Sequence, residues 1–454
     1  MKAGESQTKM MMKMMHYLTK IFPVFLIAFS SYSQRDLSAK EAIAIALENN
    51  YQVQIAEKQA EISEINNTWG EAGAFPTITL SVGQNNTIQD NRNNPFTFTP
   101  GVILSQGISP NLSANWNIFS GFAVRISKQR LEQLEEQSAN NAMAVIESSV
   151  QDVLKAYYAA QLQKERVDLF KKLFTISKER YQYFELKEQY SGSNSLELMQ
   201  FKNQFLTDSS NLILQELSHK NALRNLTLLM NDTTIVAEEL NLTDNLNIES
   251  SAVDLNTAIE EMISNNNNLK NQYISVELQR TNTEFMRSFL YPTLSFQTGF
   301  NPSWSAFKEI NGTSGLEAQT NTMTYYGNLN LRYTLFNNWK NKRAVEVSKI
   351  NEEIAVLSAE SMEKSLTITL RNLVELYEVR SQLVEISKQN LIYAEKTFEL
   401  ARNRFQVGTI NSIDLATIQS NYQNTMIQHY ENVFNRLDTF LEIYKMTGKI
   451  GLNY

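Results

Sequence analysis

Two acidic side chains stand in nearly the same short phrase at two distant places. Glu197 lies in NSLEL (Asn194–Leu198) and Asp414 in NSIDL (Asn411–Leu415), and each phrase follows a glycine, Gly192 or Gly408. Carboxylates in this setting can do two things. An asparagine caps a helix start, and an acid at the third helical position complements the exposed N–H groups and the helix dipole. Carboxylates brought together around an axis would also attract cations, and a ring of them would select cations in a pore.

Other chemistry has little to draw on. The 454 residues include no cysteine and three histidines, His16, His219 and His429. That excludes disulfides, thiolate metal sites and a cysteine nucleophile, and leaves little for a histidine metal centre or a catalytic triad. There is no nucleotide-binding loop and no nucleophile–base pair, so neither an enzyme nor a cofactor or metal site is expected. His219 and His429 read as ordinary helix-interface residues. The formal net charge of −7 argues against nucleic acid as a partner.

The elements that must position the two acids are written twice. At an offset of 216–217, FPTITLSVG (Phe75–Gly83) matches YPTLSFQTG (Tyr291–Gly299), and NIFSG (Asn117–Gly121) echoes TLFNN (Thr334–Asn338). KEAIAIALENN (Lys40–Asn50) matches NTAIEEMISNN (Asn256–Asn266). The chain therefore divides into repeats 34–252 and 253–454. Gly192 is the only glycine from Phe122 to Thr298, and Gly408 the only one from Asn328 to Thr447; proline is absent from both stretches except for Pro292. With breakers absent and apolar residues at helical spacing (Val150, Val153, Leu154, Tyr157, Tyr158; Leu366, Leu370, Leu373, Tyr377), Phe122–Gln189 and Trp339–Gln406 are predicted as single helices. Each is roughly 65 residues, or about 100 Å, long. Each turns back at its glycine, so the acidic phrases are the tips of two helical hairpins, near 190–197 and 406–414.

Each repeat also predicts a strand pair, about 75–119 and about 291–336. Ile78, Leu80 and Val82 alternate, as do Leu112, Ala114, Trp116 and Ile118. In the second repeat Leu294, Phe296 and Phe300 alternate, as do Leu329, Leu331, Tyr333 and Leu335. Residues 72–124 carry two charges, Asp90 and Arg92. Strands of about ten residues, apolar on one face, with Trp116, Tyr325, Tyr326 and Phe336 near their ends, fit a transmembrane barrel; a soluble sheet on a core is the other reading. The polar stretches Asn85–Gly101 and Pro302–Asn321 are expected to separate the strands. Four strands cannot close a barrel, and an open edge is not tolerated in lipid, so several chains would have to complete one.

The N-terminus reads as a signal peptide over residues 1–33, with Lys20 before the apolar run IFPVFLIAF and Ser31-Tyr32-Ser33 after it. The run is too short for a membrane-spanning helix. Met14 or Met15 is an alternative start, and without cysteine no lipid anchor is expected.

With these features in order, the chain resembles the TolC family of outer-membrane efflux channels over Leu37–Asn453. The marks are the duplicated halves and the [FY]-P-x-[IL] strand starts at Phe75 and Tyr291. To these add the basic helix starts after IFSG and LFNN and, most specific, the tip RFQVGTINSIDLATIQ (Arg404–Gln419). The resemblance implies a mainly helical fold with a small β part. Four strands per chain would join a trimeric 12-stranded outer-membrane barrel, and the long hairpins a periplasmic α-barrel. It implies partners: two further copies of the chain, a periplasmic adaptor, an inner-membrane pump and outer-membrane lipid. It implies a passive exit duct, in efflux or type I secretion, gated by Asp414, Glu197, Phe405 and Thr417. Gly192, Asn194, Ser195, Gly408, Thr409, Asn411 and Ser412 would form the tip turns and adaptor contact. Ile78, Leu80, Leu112, Trp116, Ile118, Leu294, Phe296, Leu329, Leu331 and Tyr333 would face lipid. Two positions depart from the family: Ile410 stands where an arginine is usual and Thr417 where a second aspartate is usual. The alternative from another class is a structural or adhesive coiled-coil envelope protein, which explains the hairpins but not the amphipathic strands.

Overall fold

The computed structural model describes residues 35–97, 101–191, 195–232, 234–246, 252–310, 315 and 317–450. The expected signal peptide and the tip residues Gly192 and Asn194 lie outside the described residues. The chain runs β1 (Arg35–Leu37), α1 (Ala39–Asn49), α2 (Tyr51–Asn66), β2 (Thr77–Asp90), β3 (Val102–Ser120), α3 (Ala123–Ser191), α4 (Ser195–Met230) and β4 (Leu240–Leu242). It continues through α5 (Leu255–Asn265), α6 (Asn267–Ser288), β5 (Thr293–Glu309), β6 (Glu317–Arg332), α7 (Lys340–Gln406) and α8 (Ser412–Met446). From α1 to α4 and from α5 to α8 the same order repeats.

The two long helices hold 69 and 67 residues. Before each strand pair stand two helices rather than one. Asn50 ends α1 and caps α2 by accepting from Gln52 N; Asn266 ends α5 and caps α6 by accepting from Leu269 N. An extended backbone at each asparagine breaks the helix, and its side chain restarts it. The result is a helical wall. Nearest the sheet its order is α2, α3, α6, α7; towards the tips it is α4, α3, α8, α7. The short helices fill the wall where the return helices stop.

Midway along, the parallel pair β1–β4 packs on α3. Tyr157, fully buried, donates to Leu37 O at 2.8 Å and accepts from the N–H groups of Thr243 and Asp244, both at 3.1 Å. A core of Leu37, Ala42, Leu154, Leu226 and Met230 surrounds it. The equivalent level of the second repeat is held by packing of Met262, Leu370, Val374, Tyr377 and Phe440.

The four antiparallel strands lie in the order β2-β3-β5-β6, leaving β2 and β6 as edges. They are longer than the sequence pattern predicts, at 14 to 19 residues. Asn85–Asp90, Pro302–Glu309 and Glu317–Asn321, expected to separate strands, are themselves strand. There polar residues such as Asn86, Gln89, Lys308, Gln319 and Asn321 dilute the apolar alternation while the hydrogen-bond ladder continues. For the same reason Tyr325 and Tyr326 sit mid-strand, opposite Phe300 and Gly299, and not at an end. A side chain at Gly299 would meet Tyr326 Oη at 2.5 Å and Leu112 O at 2.8 Å. At the corner from sheet to long helix, both repeats use two successive left-handed residues, Gly121–Phe122 and Asn338–Trp339. Such φ values are uncommon without glycine, and aromatic contacts support them: Phe122 on Phe119, and Trp339 on Phe336.

Candidate functional site at the hairpin tips

The second tip is fully described. Gly408 takes φ +76°, a left-handed turn that glycine adopts without strain. Arg404 O accepts from both the N–H and the hydroxyl of Thr409, each at 2.9 Å. Asn411 Oδ1 then accepts from Asp414 N at 2.8 Å, the cap read from the sequence. Asp414 itself is exposed, and Thr417, also exposed, donates to Ile413 O at 3.0 Å. On the first tip, Ser195 is exposed and opens α4, and Glu197 is half-buried in its first turn. Among the described residues no hydrogen bond or ion pair joins Glu197 to Asp414 within one chain.

The two tips are nevertheless neighbours. Ser412 Oγ donates to Gln200 Oε1 at 2.7 Å. Ser412, expected on the adaptor-facing surface, is therefore turned inward and 8% exposed. Phe405 points inward too, into a cluster with Phe184 and Phe201 at ring separations of 6.0 and 5.6 Å. Arg180 lies over both Phe201 and Phe405, at 5.6 and 5.9 Å from the ring centres. Beside them is a cavity of about 400 Å³ whose lining includes Arg180, Gln200, Gln204, Ala416 and Ser420.

Sequence reasoning missed the polar residues behind this cavity. Asp208 and Gln419 are each 1% exposed. Gln204 and Gln419 donate to the Asp208 carboxylate at 2.9 and 3.2 Å, and Arg180 Nη1 donates to Gln419 Oε1 at 3.5 Å. Burial pushes the Asp208 carboxyl up, against the opposing pull of the hydrogen bonds from Ser177, Gln204 and Gln419 and the charge of Arg180. Burial lowers Arg180 to about 10, with Asp208 opposing and Arg402 adding to the shift. The signal was present: Asp208 stands one heptad after Phe201, and Gln419 one heptad after Ser412, both at inward positions.

At the other end of the molecule, strand pairing decides which residues share a face. Opposed pairs are Ile78–Ala114, Leu80–Leu112, Leu112–Phe300, Trp116–Phe296, Phe296–Leu329 and Leu294–Leu331. Eight of the ten residues expected to face lipid therefore lie on one apolar face. Ile118 falls at a bulge between Asn117 and Phe119, where Phe119 takes the place opposite Leu294. Tyr333 lies just past the end of β6. The opposite face carries Thr79, Ser81, Asn111, Asn115, Gln297 and Asn330. From Leu294 to Trp304 the apolar face runs about 33 Å along β5 at ~3.3 Å per residue, or roughly 25 Å high at the tilt usual for membrane barrels. Trp116 is near its helix-side rim, where the indole donates to Ala74 O at 2.9 Å. No helix among the described residues is long and apolar enough to cross a membrane, and no group of three or more His, Asp or Glu among them could hold a metal ion.

A long helical wall on a two-faced four-stranded sheet, built from a tandem repeat, defines the class: the channels of the bacterial outer membrane that serve efflux. The profile of the family "Outer membrane efflux protein" matches residues 42–232 and 258–449, and the chain belongs to that family. Its members are channels, not enzymes. Among solved structures the chain is similar to the Campylobacter jejuni CmeC outer membrane channel, with TM-score 0.74, 14% identity and coverage of 90% of this chain and 85% of that one. It is also similar to CusC (TM-score 0.72, 15% identity, 90% and 92% covered). The open-state Neisseria gonorrhoeae MtrE outer membrane channel gives 0.71, 16% identity, and 90% and 88%. No curated protein sequence matches.

Proposed function

We propose that three copies of this chain form a passive exit duct through the outer membrane, closed at the hairpin tips. An inner-membrane pump, reached through a periplasmic adaptor, feeds it, and most of the chain stands in the periplasm. The observation that carries this reading is that one chain has two unfinished flanks of matching kind. On one flank lie the edge strand β2 and the outer helices α2 and α4. On the other lie β6 and α7. Exposed apolar residues run down both at coiled-coil spacing. They are Ile55, Ile62 and Ile65 of α2 and Met199, Leu206 and Ile213 of α4 on the first flank, and Val347, Ile350, Ile354 and Leu357 of α7 on the second. Joining unlike flanks head to tail closes a ring and pairs β2 with the next β6, which removes every sheet edge from lipid. Three chains give twelve strands, with the polar face inward. The same closure gathers three copies each of Glu197 and Asp414 at the tips, where they draw cations.

The test is single-channel conductance of the purified full-length protein in a planar bilayer, with its mass in detergent. A trimer with small, cation-selective openings is expected. Asp414→Ala should lower the cation preference, and Glu197→Ala with it should nearly abolish it. A folded trimer without conductance would return the chain to the structural coiled-coil reading. The cargo is set by the pump and is not written in this chain.

A further inference from the structure

The two hairpins of one chain are tied near their tips by two links of different kinds. The lower link, Ser412 to Gln200, is a neutral hydrogen bond at the wall of the 400 Å³ cavity. Breaking it exposes two uncharged groups that water in the cavity can satisfy. The upper link lies seven residues, or two turns, further along the same face of α8, where Gln419 donates to Asp208 and accepts from Arg180. Breaking that one takes one bond from a carboxylate 1% exposed, which keeps Ser177 and Gln204, and removes the acceptor of a buried guanidinium whose Nη2 already has no partner. A buried charge that loses its partner is far costlier than a neutral group that gains a water. Leu415 and Tyr422, on the same face, are fully buried and pack with Leu169 and Leu173 of α3.

Resting on the reading of the tips as an aperture, we propose that Asp208, Gln419 and Arg180 form the fulcrum of the gate. The tip of the second hairpin swings away from α4 below Gln419, while Gln419 itself stays held. Asp208 and Arg180 are then positioning residues. They never touch the cargo, but they fix the arc on which Asp414 travels, five residues nearer the tip than Gln419. The arrangement places the inter-hairpin tie in the buried wall, away from Ile410 and Thr417, and it leaves the boundary between neighbouring chains free to slide.

The chain has no cysteine, so engineered pairs report without background. In the full-length Gln200→Cys/Ser412→Cys variant, a short bifunctional methanethiosulfonate bridge spans the part that moves. Bridging should abolish discrete openings in a planar bilayer, and a thiol reductant should restore them. Gln419→Ala removes the fulcrum. Its single conductance step should break into several sub-levels, with open probability shifted about tenfold, the scale of one stranded buried group. Asp208→Glu, which keeps charge and acceptor, should retain the single step, and Asp208→Asn serves if Gln419→Ala does not fold. A bridged pair that still opens overturns the proposal. So does a Gln419→Ala variant with one step and unchanged selectivity, whatever its melting temperature, because a purely stabilising role predicts that result. Absence of conductance before any bridging overturns the channel reading and the fulcrum with it.

Discussion

Tyr157 and Val374 occupy equivalent places, 217 residues apart, at the level where the sheet-bearing part of the wall meets the tip-bearing part. Around Tyr157 the first repeat builds a hydrogen-bonded knot, joining β1, β4 and α3 through one hydroxyl. Around Val374 the second repeat packs apolar side chains from α5, α7 and α8 and uses no strand. The sheet shows the opposite: Leu112 and Leu329, also 217 apart, do the same work on the same face. Duplication kept the apolar face of the sheet alike. It let the parts that only hold one chain together diverge.

The sheet gives the largest expected effects. Lysine in place of Leu112, opposite Phe300 at mid-band, should cost about 3 kcal/mol in lipid, and Leu329→Lys about the same. At the rim, Trp116→Lys should cost about 1 kcal/mol, most of it the lost bond to Ala74 O. Denaturant unfolding in bilayers measures all three. Leu112 and Leu329 variants that differ by more than their shared role allows would break the equivalence.

The knots come next. Tyr157→Phe keeps the ring but removes three buried hydrogen bonds; Leu37 O and Thr243 N–H still have each other at 3.2 Å, while the Asp244 N–H loses its partner, an expected loss of about 2 kcal/mol. Tyr273→Phe, whose hydroxyl meets Glu363 at the exposed surface, should change stability by less than about 0.5 kcal/mol. If Tyr157→Phe is equally mild, packing alone holds both repeats and the contrast between them fails. Smaller still are the caps. Asn411→Ala, Asn50→Ala and Asn266→Ala should each cost about 1 kcal/mol in thermal melts.

What the sequence makes legible follows from period and punctuation. Long breaker-free stretches with one glycine each mark the hairpins, and Asn411 with Asp414 marks a cap that the structure holds at 2.8 Å. Alternation marks the apolar face, but only where apolar residues supply contrast, so the pattern makes the strands too short at their amide-rich ends. The break at Asn50 and Asn266 is written as a repeated Asn-Asn, whose capping meaning emerges only once two helices are seen to meet there. The Asp208–Gln419–Arg180 link is not legible, because its members lie in three different helices and each alone resembles a solvated polar residue. Heptad position, which places Asp208 and Gln419 inward, is the one available clue.

The two interior histidines give the smallest effect and the finest test of the comparison between the hairpins. His219 of α4 and His429 of α8 both lie in return helices, and burial lowers both below the ordinary imidazole value of 6.5. His219 has opposing help: its Nδ1 meets Ala160 O at 3.2 Å, and Asp168 lies near, though Lys164 and Lys171 add to the lowering. His429 has Lys388 and Arg436 as further lowering charges and Ser387 Oγ at 3.0 Å. With folded values below unfolded ones, the unfolded chain takes up protons first as pH falls through 6.5. Stability is therefore full above that value and declines below it. Replacing either histidine by glutamine should flatten the melting-temperature curve between about pH 6.5 and 5, by under ~1 kcal/mol each. The flattening should be greater for His429, where no neighbouring carboxylate or carbonyl favours the charged ring. Equal slopes in the two variants would mean that burial alone, the same in both hairpins, sets the response.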